Sequence, residues 1–357
     1  MNTIINHRIG TVIASVLITG SGLCFDNAVI SGTSTTPNYQ VVKKISLGGE
    51  GGWDYLTLDS AARRLYITRS TRVIVLNVDT GRVVGEIGDT PGVHGVAIAR
   101  ELNRGFTSNG KAATATIFDL KTLKVIGKVK TGSNPDAIVY DSVSQKVFTF
   151  NGLSNSVTVF DAKTTKVLGT IALGGKPEFA VADGLGRIDV NLEDKSEIVA
   201  INASNLKVEK DSPLKPCSEP TGIDIDKEHR RLFIGCRNQI MTVVDANTLS
   251  IKATLPIGKR TDAIAYDPVT RLAFSSNGEG SLTVVHEDSA DKFSIVNNVV
   301  TEPGARTMAL DLKTHKLYLA TAKFQATSTP VPGQVRSRPS IIPGTFVILV
   351  LYDKQYH

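Results

Sequence analysis

The sequence predicts an all-β fold, a seven-bladed β-propeller whose last blade is closed by the N-terminal strand pairing with the C-terminal strand. Three observations predict it. A segment of the form YDSVSQKVFTFN recurs in seven altered copies spaced 40–44 residues apart. Each copy is followed by alternating strands and turns with no helical period. The last copy lacks a fourth strand, and a strand of that pattern stands alone at the other end of the chain. Four short strands per repeat of this length make a propeller blade, a unit that buries its faces only against neighbouring copies.

Composition agrees. The chain has 357 residues, 41% hydrophobic and 21% charged. That excludes a disordered chain and a multi-span membrane protein. Length alone would suit two domains, but one large all-β domain is equally allowed. The net charge of +6 is spread with mixed signs rather than gathered in a basic tail.

Residues 1–32 differ from the rest. Arg8 is the only charge before Asp26, residues 9–23 are small and apolar, and Gly20, Ser21 and Gly22 follow. Charge, apolar run and small residues in that order read as a signal peptide, which implies a periplasmic or secreted protein with no membrane span in its mature form. An uncleaved anchor or an unstructured leader are the alternatives. Cys24 would suit lipidation, but Leu23 stands where that signal takes Gly or Ala. Without the leader, Cys217 and Cys236 remain, either a disulfide, as an exported protein permits, or two buried thiols.

The repeats can be aligned on one position, here called the anchor: Asp59, Ala99, Asp141, Asp183, Asp226, Asp267 and Asp311. Aspartate there accepts backbone hydrogen bonds and starts a turn. Seven residues on stand Tyr66, Phe106, Phe148, Val190, Phe233, Phe274 and Tyr318, aromatic in six copies and read as packing wedges between blades. Segments such as SVTVFDAKTTKVLGTI then alternate as strand, turn and strand. The seventh copy ends at a third strand, 345–352. The pattern of its missing fourth strand lies at 39–47, so the propeller spans 39–352 and its termini pair, which removes open edges. A Pro/Ser/Thr-rich segment, 322–345, interrupts the last blade. Its Arg336 and Arg338 suit a flap over an acidic opening, and its composition equally suits a loop without a role.

The segments GWDYLTLD, PGVHGVAI, NPDAIVYD, GGKPEFAVAD, EPTGIDID and GARTMALD resemble the YVTN repeats of the bacterial YncE-like propellers. The resemblance covers about residues 39–352. It implies an exported seven-bladed propeller, and it implies no reaction, because the fold does not fix one.

First strands line the channel of a propeller, so residues at equal offsets from the anchor form rings. Five before the anchor stand Asp54, His94, Asp136, Glu178, Thr221, Asp262 and Arg306, six of them ionisable. The next column (Tyr55, Gly95, Ala137, Phe179, Gly222, Ala263, Thr307) is mostly small or apolar. Period-two alternation places it on the other side of the strand, with the ionisable ring facing the axis. Ten after the anchor stand Arg69, Asn109, Asn151, Glu193, Cys236, Asn277 and Thr321, on the same face. Cys217 also enters that face, which brings it near Cys236.

Ligand-binding candidates are therefore Trp53, Asp54, His94, Asp136, Glu178, Asp262, Arg306, Asn109, Asn151 and Asn277. Crowded carboxylates repel unless a cation intervenes. Asp54, Asp136, Glu178, Glu193 and Asp262 are candidate ligands for a divalent cation such as Ca²⁺ or Mg²⁺, and a water-filled, solvated mouth is the alternative. His94 or Asp136 would be the proton-moving group of any catalysis. Trp53 either walls a ligand or packs under a loop. Arg306 either meets an anionic ligand or neutralises Asp54 and Asp262. Turns on the opposite face carry Arg63, Arg64, Arg230, Arg231 and many lysines, an electrostatic footprint for nucleic acid or an anionic surface that lacks accompanying aromatics.

No nucleophile elbow, phosphate-binding loop, dinucleotide fingerprint or zinc-protease motif is present. Three functions follow. The first is a monomeric exported propeller binding a small molecule, metal or protein partner at its mouth. The second is a divalent-metal-assisted hydrolase or lyase, resembling the propeller lactonases, using the same mouth. The third is a binder of nucleic acid or anionic surfaces through the opposite face.

Overall fold

The computed structural model describes residues 37–325 and 340–353. The leader, Cys24, Arg336 and Arg338 lie outside the described residues. Those described form seven four-stranded antiparallel sheets. Blades 1 to 6 are continuous in sequence: 56–87, 93–130, 135–172, 177–213, 220–256 and 261–300. Blade 7 takes Thr307–Asp311, Lys316–Thr321 and Val347–Asp353 from one end of the chain and Tyr39–Ser46 from the other. The closing pair is antiparallel, with Tyr39 opposite Asp353 and Ser46 opposite Val347. Innermost strands touch in the order 1 to 7 and back to 1, so the ring is closed.

The apolar core divides as the repeat demands, one buried cluster at each of the seven blade junctions. All seven wedge residues are buried. Several meet an aromatic ring of the next blade: Tyr66 meets Phe118, Phe106 meets Phe160, and Phe233 stacks on Tyr266 at 4.9 Å.

Anchor aspartates accept hydrogen bonds from amides two or three residues on, as Asp59 does from Ala62 and Asp267 from Val269. In every blade but the fourth, the turn then passes through a left-handed residue four after the anchor. That conformation aims its side chain at the preceding blade's anchor: Arg63 reaches Asp311 at 2.6 Å, Arg230 reaches Asp183 at 2.7 Å, and His315 reaches Asp267 at 2.6 Å. The next residue reaches the other way. Arg64 donates to the Leu120 carbonyl, Arg104 to Ala162, Lys146 to Ala203 and Arg231 to Ala290. Much of the cationic face read from the sequence is thus inter-blade stitching.

Cys217 and Cys236 form a disulfide, with Cα atoms 5.5 Å apart, buried in the junction of blades 4 and 5. Crosslinks closing loops of this size stabilise by about 3 kcal/mol. The double variant Cys217→Ala/Cys236→Ala is expected to lose about that much in urea unfolding, and an unchanged midpoint would show the bridge to be energetically idle.

Candidate functional site

The inner strands bring six of the seven ring residues into one charged network around the axis; Thr221 is fully buried and hydrogen-bonds backbone carbonyls. His94 Nδ1 lies 2.6 Å from Asp54 Oδ2, its hydrogen-bond partner, and 3.0 Å from Asp136 Oδ1, so carboxylates of the two flanking blades both face it. Arg306 Nε forms an ion pair with Asp262 Oδ2 at 3.0 Å, and its Nη2 stands 4.0 Å from Asp54 Oδ1. Lys176 reaches Glu178 at 3.4 Å and also pairs with Glu193, which takes a second bond from Arg237 at 2.8 Å. Gly110 leaves room for the imidazole, since a Cβ there would lie 2.7 Å from His94 Nε2.

Simple alternation does not hold at this level. In blades 2 to 6 the pairing of strands one and two slips across the ring positions, between Val93 and Val96 in blade 2 and between Thr261 and Ala263 in blade 6. Such bulges re-aim side chains and bend the strand. In blades 1 and 7, Asp54 and Arg306 precede the regular strand. The neighbouring column is therefore not uniformly turned away. Tyr55 of blade 1 and Phe179 of blade 4 stack at 4.4 Å although their blades are not neighbours. The two rings meet across the axis next to the charged ring, which thus forms a polar cup beside an aromatic contact.

Burial dominates the electrostatics. It pushes Glu178 up to about 8, helped by Asp136, Glu193 and Asp262 and opposed by Lys176. It lifts Asp262 to about 6 despite Arg306, with Asp54 adding to the rise. Asp136 is also raised by burial, and His94 opposes. Burial works against the His94 imidazolium, but the Asp54 hydrogen bond and the Asp136 charge outweigh it and raise His94. The Tyr55 phenol is held well above its ordinary range by burial and by the charges of Asp262, Glu178, Asp54 and Asp136.

The other sequence candidates fall differently. Glu193 joins the cup through Lys176 and Arg237. Asn109, Asn151 and Asn277 reach the right end of strand two but are fully buried. Their amides donate to Thr116, Thr158 and Thr283 at 2.9–3.1 Å, pinning strand two to strand three, and do not line the opening. Arg69 is likewise buried, spent on the carbonyls of Gly48, Glu50 and Gly51. Trp53 packs on Phe324 and Phe346 at the base of the insertion. Arg306 neutralises Asp262 and faces Asp54. Lys176, Arg237, Tyr55 and Phe179 were missed. Lys176 could have been found, because the column seven before the anchor also carries Glu219 and Arg260, and a period of two puts it on the ring's side.

Fold and cup define a seven-bladed β-propeller with a polar, charge-compensated mouth. No family model and no curated relative matches the chain. Solved structures are similar in fold. A chain of Kuenenia stuttgartiensis hydrazine synthase aligns at 14% identity and TM-score 0.67, covering 81% of this chain and 95% of that one. A chain of the mitotic checkpoint complex aligns at 11% and 0.70, covering 87% and 95%. U3-55K aligns at 9% and 0.69, covering 87% and 98%. At these identities the likeness shows the fold alone.

Proposed function

We propose that the protein is an exported propeller of the YncE-like, YVTN-repeat type that binds a small polar ligand in the mouth cup. One observation carries the reading: Asp54, His94, Asp136, Glu178, Asp262 and Arg306, from six blades, surround one opening beside the contact of Tyr55 and Phe179. Titratable groups displaced by burial and by one another in a concave site mark binding or catalysis more often than structure. Carboxylates beside Lys176, Arg237 and Arg306 suit a ligand bearing both signs of charge. The disulfide and the leader composition support an oxidising, extracytoplasmic compartment.

The test is a thermal-shift screen of amino acids, amines and short carboxylates. Binders are expected to raise the melting temperature of the wild type and to lose that shift, with affinity at least roughly tenfold weaker, in Asp136→Asn. Equal shifts in both proteins would place binding elsewhere.

A second reading rests on the Asp54, His94 and Asp136 ligand atoms, which lie within 4.8 Å of one another. These residues fit a divalent cation. Bound there, it would polarise a carbonyl or a water, the chemistry of a metal-assisted hydrolase or lyase. His94, held by two carboxylates, would move the proton. Nucleic-acid binding has less support, since Arg63, Arg64, Arg104, Arg230 and Arg231 are engaged between blades.

A further inference from the structure

We propose that the junction of blades 5 and 6, on the face opposite the mouth, holds a zinc-class divalent cation on Asp226, His229 and Glu287. This site is independent of the mouth reading.

The repeat itself singles the junction out. A residue just past strand three donates its amide to the left-handed turn carbonyl of strand one's hairpin, or its equivalent. In blades 1 to 5 that residue is Val78, Leu120, Ala162, Ala203 or Ala246, all buried and apolar. In blade 6 the same bond, to the Arg271 carbonyl, is made by Glu287. Its side chain is wholly buried, its Oε2 accepts the Tyr266 hydroxyl, and its Oε1 accepts no hydrogen bond. A buried carboxylate in an apolar column is costly unless something offsets its charge.

The direct ion pair found at three other junctions is absent here, and the Arg271 charge acts on Glu287 only through space. At three other junctions the left-handed residue of the next blade pairs with the anchor aspartate. At this one that residue is Arg271, with φ 57° like the others. It makes no hydrogen bond to Asp226, and its Nε is buried without a partner. Asp226 Oδ2 instead faces His229 Nδ1 at 2.6 Å, and Glu287 Oε1 lies 3.5 Å from the same nitrogen. His229 is the only histidine in its repeat column, which otherwise reads Ala62, Leu102, Ser144, Gly186, Thr270 and Thr314.

One nitrogen and two carboxylate oxygens within 4.8 Å of one another are three ligands of a mixed N/O zinc site. Asp226 and Glu287 are buried, while the His229 side chain is 30% exposed, so the fourth position opens to solvent. Two carboxylates balance the dication. The Tyr266 hydroxyl orients Glu287, as outer partners of metal ligands commonly do.

The experiment is a calorimetric titration of Zn²⁺ into the full chain after chelator dialysis, with metal content measured after gel filtration. One zinc per chain is expected to depend on His229, whatever the mouth takes up. His229→Ala and Glu287→Ala should each weaken that zinc at least roughly 100-fold and Tyr266→Phe roughly tenfold, and the His229-dependent zinc should persist in Asp136→Asn. Glu287→Ala restores the residue of blades 3, 4 and 5, so it is expected to fold and to melt higher than the metal-free wild type. No zinc retained by the wild type, zinc indifferent to His229→Ala, or the His229-dependent zinc lost through Asp136→Asn would each overturn the assignment.

Discussion

Glu178→Gln is expected to stabilise the propeller by on the order of 4 kcal/mol at pH 9 and to change it little at pH 4. Glu178 ordinarily titrates near 4.5, and burial beside Asp136, Glu193 and Asp262 lifts it to about 8 in the folded protein. The folded state therefore holds a proton that the unfolded chain has released. Folding is favoured by that proton below about pH 4.5, and the advantage is lost as pH rises through about 8. Above that, the charged carboxylate costs stability in every wild-type molecule. Glutamine has nearly the same shape and no charge to bury, so the cost disappears with it. For a chain of this size the gain at pH 9 corresponds to roughly 5 °C in Tm. Melting curves of both proteins at pH 4, 6.5 and 9 check it. A gap that stays constant with pH would mean that Glu178 is not strained by its neighbours. Asp262→Asn should show the same sign in a lower window, between about 4 and 6.

The ring was legible because a propeller repeats one blade. An offset from the anchor is a position in space, and Asp54, His94, Asp136, Glu178, Asp262 and Arg306 could be assembled before any coordinate. Closure was legible for the same reason, since a strand missing at 345–352 and spare at 39–47 has one place to go. What failed was alternation. A bulge adds a residue to blade 4 without a periodic mark in the sequence, and Tyr55 precedes the regular strand of blade 1, so both Tyr55 and Phe179 read as turned away when they meet over the axis. Asn109, Asn151 and Asn277 failed for a subtler reason. Offset gives the height of a residue in the blade, but the threonine hydroxyls of strand three decide where the amide points. The charge of the opposite face was counted correctly, yet counting cannot show that the turn conformation spends those cations on the neighbouring blade.

Tyr39→Ala is expected to cost about 3–5 kcal/mol, as removal of a large buried aromatic does. Tyr39 begins the strand that closes the ring. It is 2% exposed, its ring meets Phe274 of blade 6 edge-on at 5.0 Å, and its hydroxyl donates to the His315 carbonyl at 3.1 Å. One side chain thus ties the closing strand both to its own blade and to the preceding one. Val42, on the same strand but 43% exposed, supplies the control, and Val42→Ala should stay within about 0.5 kcal/mol. The loss at Tyr39 should fall mainly on one rate. Closing blade 7 joins residues more than 300 apart, such as Asn38 and Asp353, and so carries a large loop entropy. If that pairing forms late, Tyr39→Ala leaves the folding rate nearly unchanged and speeds unfolding by roughly 100-fold or more. Stopped-flow refolding and unfolding in urea separate the two arms. A slowed folding arm would instead make the termini part of the nucleus, and the ring would then grow outward from its seam.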